Sequence, residues 1–163
     1  MNDVVECVIE IPMGTKNKYE VDKKRNKIKL DRVLYSALSY PEEYGYIENT
    51  LSADGDPLDI LLISSYPTFP GCLVDARVLG YLKVIDNNLE DEKVIAVVDK
   101  DPRFKQLNKL EDIPNHQLIE IKDFFLNYKK LQNIDVKVTD FYSKEEALNL
   151  IEECKKRFKS SEI

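Results

Sequence analysis

The chain is 163 residues long with 43% apolar and 33% charged residues, an ordinary water-soluble composition able to bury about two-thirds of its unfolded surface. Its net charge of −6 argues against a nucleic-acid binder, which needs a basic face for phosphate. No run approaches the roughly 18 apolar residues of a membrane span, and Met1-Asn2-Asp3-Val4-Val5-Glu6 lacks the basic and apolar segments of a signal peptide. Three scattered cysteines, Cys7, Cys72 and Cys154, read as buried free thiols in a reducing compartment. The expectation is a cytoplasmic protein built as one domain, residues 1–163.

Val5, Cys7, Ile9 and Ile11 alternate with positions that include Glu6 and Glu10, the period of a half-buried strand ended by Pro12. Residues 13–17 read as a turn. Residues 18–22 alternate again, residues 23–27 form a basic, solvated hairpin loop, and residues 28–32 give the next short strand. Tyr40-Pro41-Glu42-Glu43-Tyr44-Gly45-Tyr46 sets three tyrosines around Pro and Gly. It is neither a good helix nor a long strand, so residues 39–47 are expected to be an ordered loop.

Further along, Ile60-Leu61-Leu62-Ile63 is short and continuously apolar, as in a buried strand. Residues 67–71 are a turn, and residues 72–84 are the longest strand candidate. Residues 86–93 read as a polar, acid-rich turn, residues 94–98 as another buried strand, and residues 99–108 as a charged loop. The period then changes. Leu118, Ile121, Phe124, Phe125 and Tyr128 recur at helical spacing after Pro114. Residues 134–141 form a last strand. Ser143-Lys144-Glu145-Glu146 is a capping box opening a helix whose apolar stripe is Ala147, Leu148, Ile151, Cys154 and Phe158. Many short strands before two helices predict an α+β fold: a small closed β-barrel, OB-like with about five strands, carrying additional hairpins and two α-helices packed outside.

The chemistry concentrates in Asp54-Gly55-Asp56-Pro57-Leu58-Asp59, three carboxylates within six residues on a loop stiffened by Pro. Acids gathered at the mouth of a buried strand are costly without a cation, and hard oxygen donors suit Mg²⁺, Mn²⁺ or Ca²⁺. An EF-hand fails, since the positions counted from Asp54 that need Gly and Glu hold Asp59 and Ser65. No phosphate-binding G-x-x-x-x-G-K-[ST] loop, G-x-S-x-G elbow or H-E-x-x-H motif is present. The lone histidine, His116, reads as a surface residue. A plain surface Asx-turn remains the alternative for the acidic loop.

The same six residues fit the signature D-x-D-P-x-D, and around them the chain resembles the soluble inorganic pyrophosphatases of family I in their short prokaryotic form. The likeness runs from Val8-Ile9-Glu10-Ile11-Pro12 through Lys18-Tyr19-Glu20, Asp31-Arg32, Tyr40-Pro41 and Tyr44-Gly45-Tyr46. It continues through Gly80-Tyr81-Leu82-Lys83, Asp86, Asp91-Glu92-Lys93 and Phe124-Phe125 to Tyr128-Lys129. The resemblance implies hydrolysis of inorganic pyrophosphate to two orthophosphates by a metal-activated water, with no covalent intermediate. It implies Mg²⁺ as cofactor, several ions per site with Mn²⁺ as a substitute, and a homohexamer acting on a metal–pyrophosphate complex.

Residue by residue, the resemblance makes Asp54, Asp59 and Asp91 ligands of the tightest metal. Asp59 also faces a second ion, and Asp86 and Asp91 with Glu10 serve those arriving with substrate. Lys18, Arg32, Lys93, Tyr128 and Lys129 grip the phosphates, and Asp56 takes the proton of the attacking water. Tyr44 supports that water's surroundings, while Glu20 and Tyr40 stand behind as binding or supporting groups. Seven acids and four cations leave these side chains net −3, a site that would repel free pyrophosphate and require metal. Two rivals stay open: a metal-dependent hydrolase of nucleoside triphosphates or phosphate esters, and a β-barrel module for single-stranded nucleic acid, which the acidic balance opposes.

Overall fold

The computed structural model describes residues 2–162. Among these residues eight strands are formed: β1 (Val4–Ile11), β2 (Asn17–Asp22), β3 (Lys27–Val33), β4 (Glu43–Ile47), β5 (Asp59–Ile63), β6 (Leu73–Asp86), β7 (Leu89–Val98) and β8 (Val136–Tyr142). Two helices follow the expected periodicity, α1 (Asn115–Asn127) and α2 (Lys144–Ser161). Short 3₁₀ turns punctuate the long loop after β7 and the chain after α1.

The strands β1-β4-β5-β7-β6 pair in that order, and β6 pairs back onto β1, so five strands close into a ring. Within the ring only β5 and β7 run parallel. Strand β8 extends the sheet from β6, and β2 with β3 makes a separate two-stranded sheet. The expected barrel with two helices against it is the observed architecture.

The uninterrupted apolar run of β5 is explained by burial on both faces. Ile60 and Leu62 join Ala147, Ile151 and Cys154 of α2 in one core cluster. Leu61 and Ile63 join Ile121, Phe124 and Phe125 of α1 in the other. Each such side chain contributes roughly 1.5–3 kcal/mol by leaving water, which fixes both helices to the barrel. The capping box forms as expected: the Glu146 N–H donates to the Ser143 hydroxyl at 3.2 Å, and the Ser143 N–H donates to Glu146 Oε1 at 3.4 Å.

Three expectations need correction. Residues 43–47 are strand β4 and not loop, because tertiary pairing with β1 and β5 outweighs the weak local pattern. Gly45 permits it: a Cβ there would stand 1.9 Å from the Val8 carbonyl oxygen. The acid-rich turn at 86–93 is far shorter than expected. Asn87 and Asn88 alone make it, at φ 52° and 68°, the left-handed pair a two-residue hairpin demands. Glu90 to Lys93 therefore belong to β7. The three cysteines are free, but only Cys7 and Cys154 are buried, while Cys72 is partly exposed. His116 is exposed, as expected.

Candidate active site

An open cleft of about 480 Å³ lies between the barrel, the β2–β3 hairpin and the chain after α1. Its floor comes from strand geometry. Alternation along β7 points Asp91 and Lys93 to the same face, and parallel pairing sets Lys93 level with Asp59 at the start of β5. Tyr44 of β4 reaches the same point. The Lys93 ammonium donates to Tyr44 Oη at 2.5 Å, Asp59 Oδ2 at 2.9 Å and Asp91 Oδ2 at 2.5 Å, and Tyr44 donates to Asp59 Oδ2 at 3.0 Å.

Lys93 is 2% exposed. Burial by itself would lower its pKa, but Asp59, Tyr44 and Asp91 together outweigh that and hold the ammonium well above its usual value. Burial and Asp59 likewise push the Tyr44 phenol up, so it stays protonated as a donor. Behind this floor Tyr40, Tyr44, Phe124, Phe125 and Tyr128 stack edge and face, with Tyr40 and Phe124 centroids 4.8 Å apart. Burial raises the Tyr40 phenol to about 12.

A second cation–acid pair closes one end. Asp86, the last residue of β6, accepts from Lys129 Nζ at 2.5 Å and from Tyr128 Oη at 3.4 Å, both positioned by the end of α1. On the opposite wall the hairpin supplies Lys18, Glu20 and Arg32. Lys18 and Arg32 face each other in register and share Asp31, each at 3.6 Å. Burial, with Arg32 adding, draws the Lys18 ammonium below its usual value. Glu10 of β1 accepts the Val21 N–H at 3.0 Å, tying the hairpin to the barrel, and burial raises its carboxyl.

The acidic loop completes the lining with Asp54 and Asp56. Both are exposed, and Asp54 Oδ1 accepts the Asp56 N–H at 3.0 Å. Gly55 between them takes φ +93°. All fourteen residues singled out in the sequence thus line one cleft. They are not drawn equally close. Among the described residues no three acids, histidines or cysteines converge tightly enough to hold an ion as they stand, and the Lys93 ammonium bridges Asp59 and Asp91. The donor chemistry nonetheless fits a hard divalent cation, since Glu10, Asp54, Asp59, Asp86 and Asp91 offer oxygen alone and no His or Cys lines the cleft.

The cleft also holds residues to which the sequence reading gives no role in the site: Lys23, Tyr46 and Gln132. Lys23 was assigned to a solvated loop, yet its ammonium stands 5.3 Å over the Tyr46 ring. No motif marks it. The hairpin's fold across β1 and β4 brings it there.

The inorganic pyrophosphatase family model matches residues 7–159. The inorganic pyrophosphatase of Halalkalibacterium halodurans is 56% identical over 96% of both chains, and that of Geobacillus stearothermophilus is 53% identical over 96% of this chain and 95% of its own. The crystal structure of inorganic pyrophosphatase from Thermus thermophilus superposes with a TM-score of 0.94 at 44% identity, covering 96% of this chain and 92% of that one. The barrel agrees with the structural match, and the chain belongs to the soluble inorganic pyrophosphatases in their short prokaryotic form.

Proposed function

We propose that this chain hydrolyses inorganic pyrophosphate to two orthophosphates, with residues 1–163 acting as one catalytic domain. The observation that carries the reading is the single cleft in which an all-oxygen acid set faces Lys18, Arg32, Lys93 and Lys129. Enzymes of this family depend on divalent metal; Mg²⁺ is the proposed ion, with Mn²⁺ a substitute. Glu10, Asp54, Asp59, Asp86 and Asp91 would hold it. Bound divalent ions would lower the pKa of a coordinated water towards neutral and offset phosphate charge.

The chain's own groups do the rest. Asp56 would take the proton from the attacking water; it lines the cleft, is exposed, and among the described residues its carboxylate has no hydrogen-bond or ion-pair partner, so it is free to accept that proton. Lys18 and Arg32 would clamp one phosphate from the hairpin, and Lys129 with Tyr128 the other. Phosphoryl transfer is governed by such positioning and charge stabilisation, and no protein nucleophile is needed. Water and P₂O₇⁴⁻ become two HPO₄²⁻, one proton passing to the leaving oxygen and the other staying on the attacking one. Lys93 would neutralise the floor and support the phosphate charge, with Tyr44 holding the water's surroundings and Glu20 and Tyr40 supporting the clamps. A cytoplasmic homohexamer is the proposed working form; exposed Tyr66, Phe69 and Leu73 support an assembly.

The test is orthophosphate release from pyrophosphate with and without Mg²⁺, wild type beside Asp56→Asn. Metal-dependent release, reduced by roughly 10²–10⁴-fold in the variant, is expected. ATP run alongside should release far less phosphate; equal release would favour the nucleotide-hydrolase reading.

A further inference from the structure

The loop bearing Asp54 and Asp56 is closed at its neck by one buried hydroxyl. Thr50 is 2% exposed; it donates to the Ile47 carbonyl oxygen at 2.7 Å and accepts the Leu58 N–H at 3.0 Å. The end of β4 and the residue before β5 are thereby tied to a single oxygen atom. A backbone bond from the Ile47 N–H to the Leu58 carbonyl at 2.9 Å lies beside it, and one from the Ser52 N–H to the Asp56 carbonyl at 2.7 Å lies nearer the tip.

From outside, α2 braces the same neck. The Cys154 carbonyl accepts the Leu51 N–H at 3.0 Å, and the Arg157 guanidinium donates to the Leu51 carbonyl at 2.8 Å. The two acids at the tip have no comparable anchor. Among the described residues the one hydrogen bond of the Asp54 carboxylate is to the Asp56 N–H, within the loop itself. Their placement over the cleft is therefore set by the loop backbone, and the backbone by its neck.

We propose that Thr50 is a positioning residue for Asp54 and Asp56, its hydroxyl fixing the height at which the loop presents both carboxylates, with Arg157 as the outer brace. Val in its place keeps the volume but leaves the Ile47 carbonyl and the Leu58 N–H without their partner, so the neck must rearrange. A displacement of about 1 Å at reacting groups can cost about a hundredfold in rate. The inference rests on the pyrophosphatase reading.

The experiment compares wild type, Thr50→Val, Thr50→Ser and Arg157→Met by pyrophosphate hydrolysis, by Mg²⁺ titration calorimetry and by circular dichroism. Thr50→Val should lower kcat about ten- to a hundredfold and weaken Mg²⁺ binding about tenfold while KM stays within about twofold; Thr50→Ser should restore both. A folded Thr50→Val with wild-type kcat and Mg²⁺ affinity overturns the proposal, as does Thr50→Ser impaired as much as Thr50→Val. If Thr50→Val does not fold, Arg157→Met decides: a shift of about threefold in the same two readouts supports the bracing, and wild-type values overturn it. Wild type without pyrophosphate hydrolysis would strike the proposed activity alone, since the calorimetry still separates Thr50→Val from Thr50→Ser.

Discussion

Two walls of the same cleft are built on opposite principles. The floor, Tyr44, Asp59, Asp91 and Lys93, stands on barrel strands whose neighbours are paired on both sides. The rim, Lys18, Glu20 and Arg32, stands on a two-stranded sheet with no ladder to the barrel, and every residue of β3 is exposed. What ties the rim down is sparse: Glu10 under the Val21 N–H, Lys23 over Tyr46, and main-chain bonds between the Gly14–Thr15 turn and Tyr40. The difference teaches a division of labour. The floor charges sit on strands paired on both sides, and the rim charges sit on a hairpin held by few contacts, which leaves the rim more freedom to adjust than the floor.

The largest test falls on the floor. Lys93→Met leaves Asp59, Asp91 and the Tyr44 hydroxyl without their buried cation, and in chelator it should cost about 3 kcal/mol of stability by urea denaturation. Added Mg²⁺ should return part of that loss, because the freed acids then have a cation to bind. Equal stability with and without Lys93 in chelator would break the view of the floor as a charge-locked unit.

The rim should respond in the other way. Lys18→Ala or Arg32→Ala should leave stability within about 0.5 kcal/mol, since Lys18 is only half-buried, Arg32 is exposed, and their ion pairs with Asp31 are long at 3.6 Å. KM should rise roughly ten- to a hundredfold from the loss of a charge-assisted hydrogen bond to phosphate. An unchanged KM in both variants would remove the hairpin from substrate binding and dissolve the comparison.

The smallest effect lies just outside the cleft. Burial lifts the Glu42 carboxyl to about 7, against the pull of the Gln117 amide that donates to it at 2.7 Å and with Glu120 and Glu43 adding to the rise. A carboxyl raised in the folded state contributes stability while protonated. That contribution is complete below its ordinary value near 4.5 and is lost as pH rises through about 7. Glu42→Gln should flatten this slope, which is at most about 1.4 kcal/mol per pH unit, and be the more stable protein at pH 8. A wild-type slope in the variant would place the titration elsewhere.

Much of this was legible in the sequence because its causes are local. Alternation marked β1 and β6, the uninterrupted run marked β5, and the capping box marked the start of α2. The acid signature drew attention to one loop, and the resemblance built around it named fourteen side chains that share a cleft. What escaped depends on neighbours distant in the chain. Glu43-Tyr44-Gly45-Tyr46-Ile47 has no strand period of its own and becomes β4 only between β1 and β5. Asn87-Asn88 reverses the chain in two residues, a conformation that composition alone spread over eight. Lys23 enters the site through the lean of the hairpin, and Lys93 was read as a phosphate ligand without any sign that three barrel groups would already hold it.

The ring has a consequence for how the molecule assembles. Its last seam joins Val4 to Arg77, so the amino-terminal strand cannot be locked until nearly half the chain exists. The β6–β7 hairpin, by contrast, needs only its own two-residue reversal, and it already carries Asp86, Asp91 and Lys93. Non-local pairing is slow because loop closure is spent before contacts repay it. Folding should therefore begin at β6–β7 and finish at the β1 seam, so that half of the cleft floor is spaced before the barrel exists.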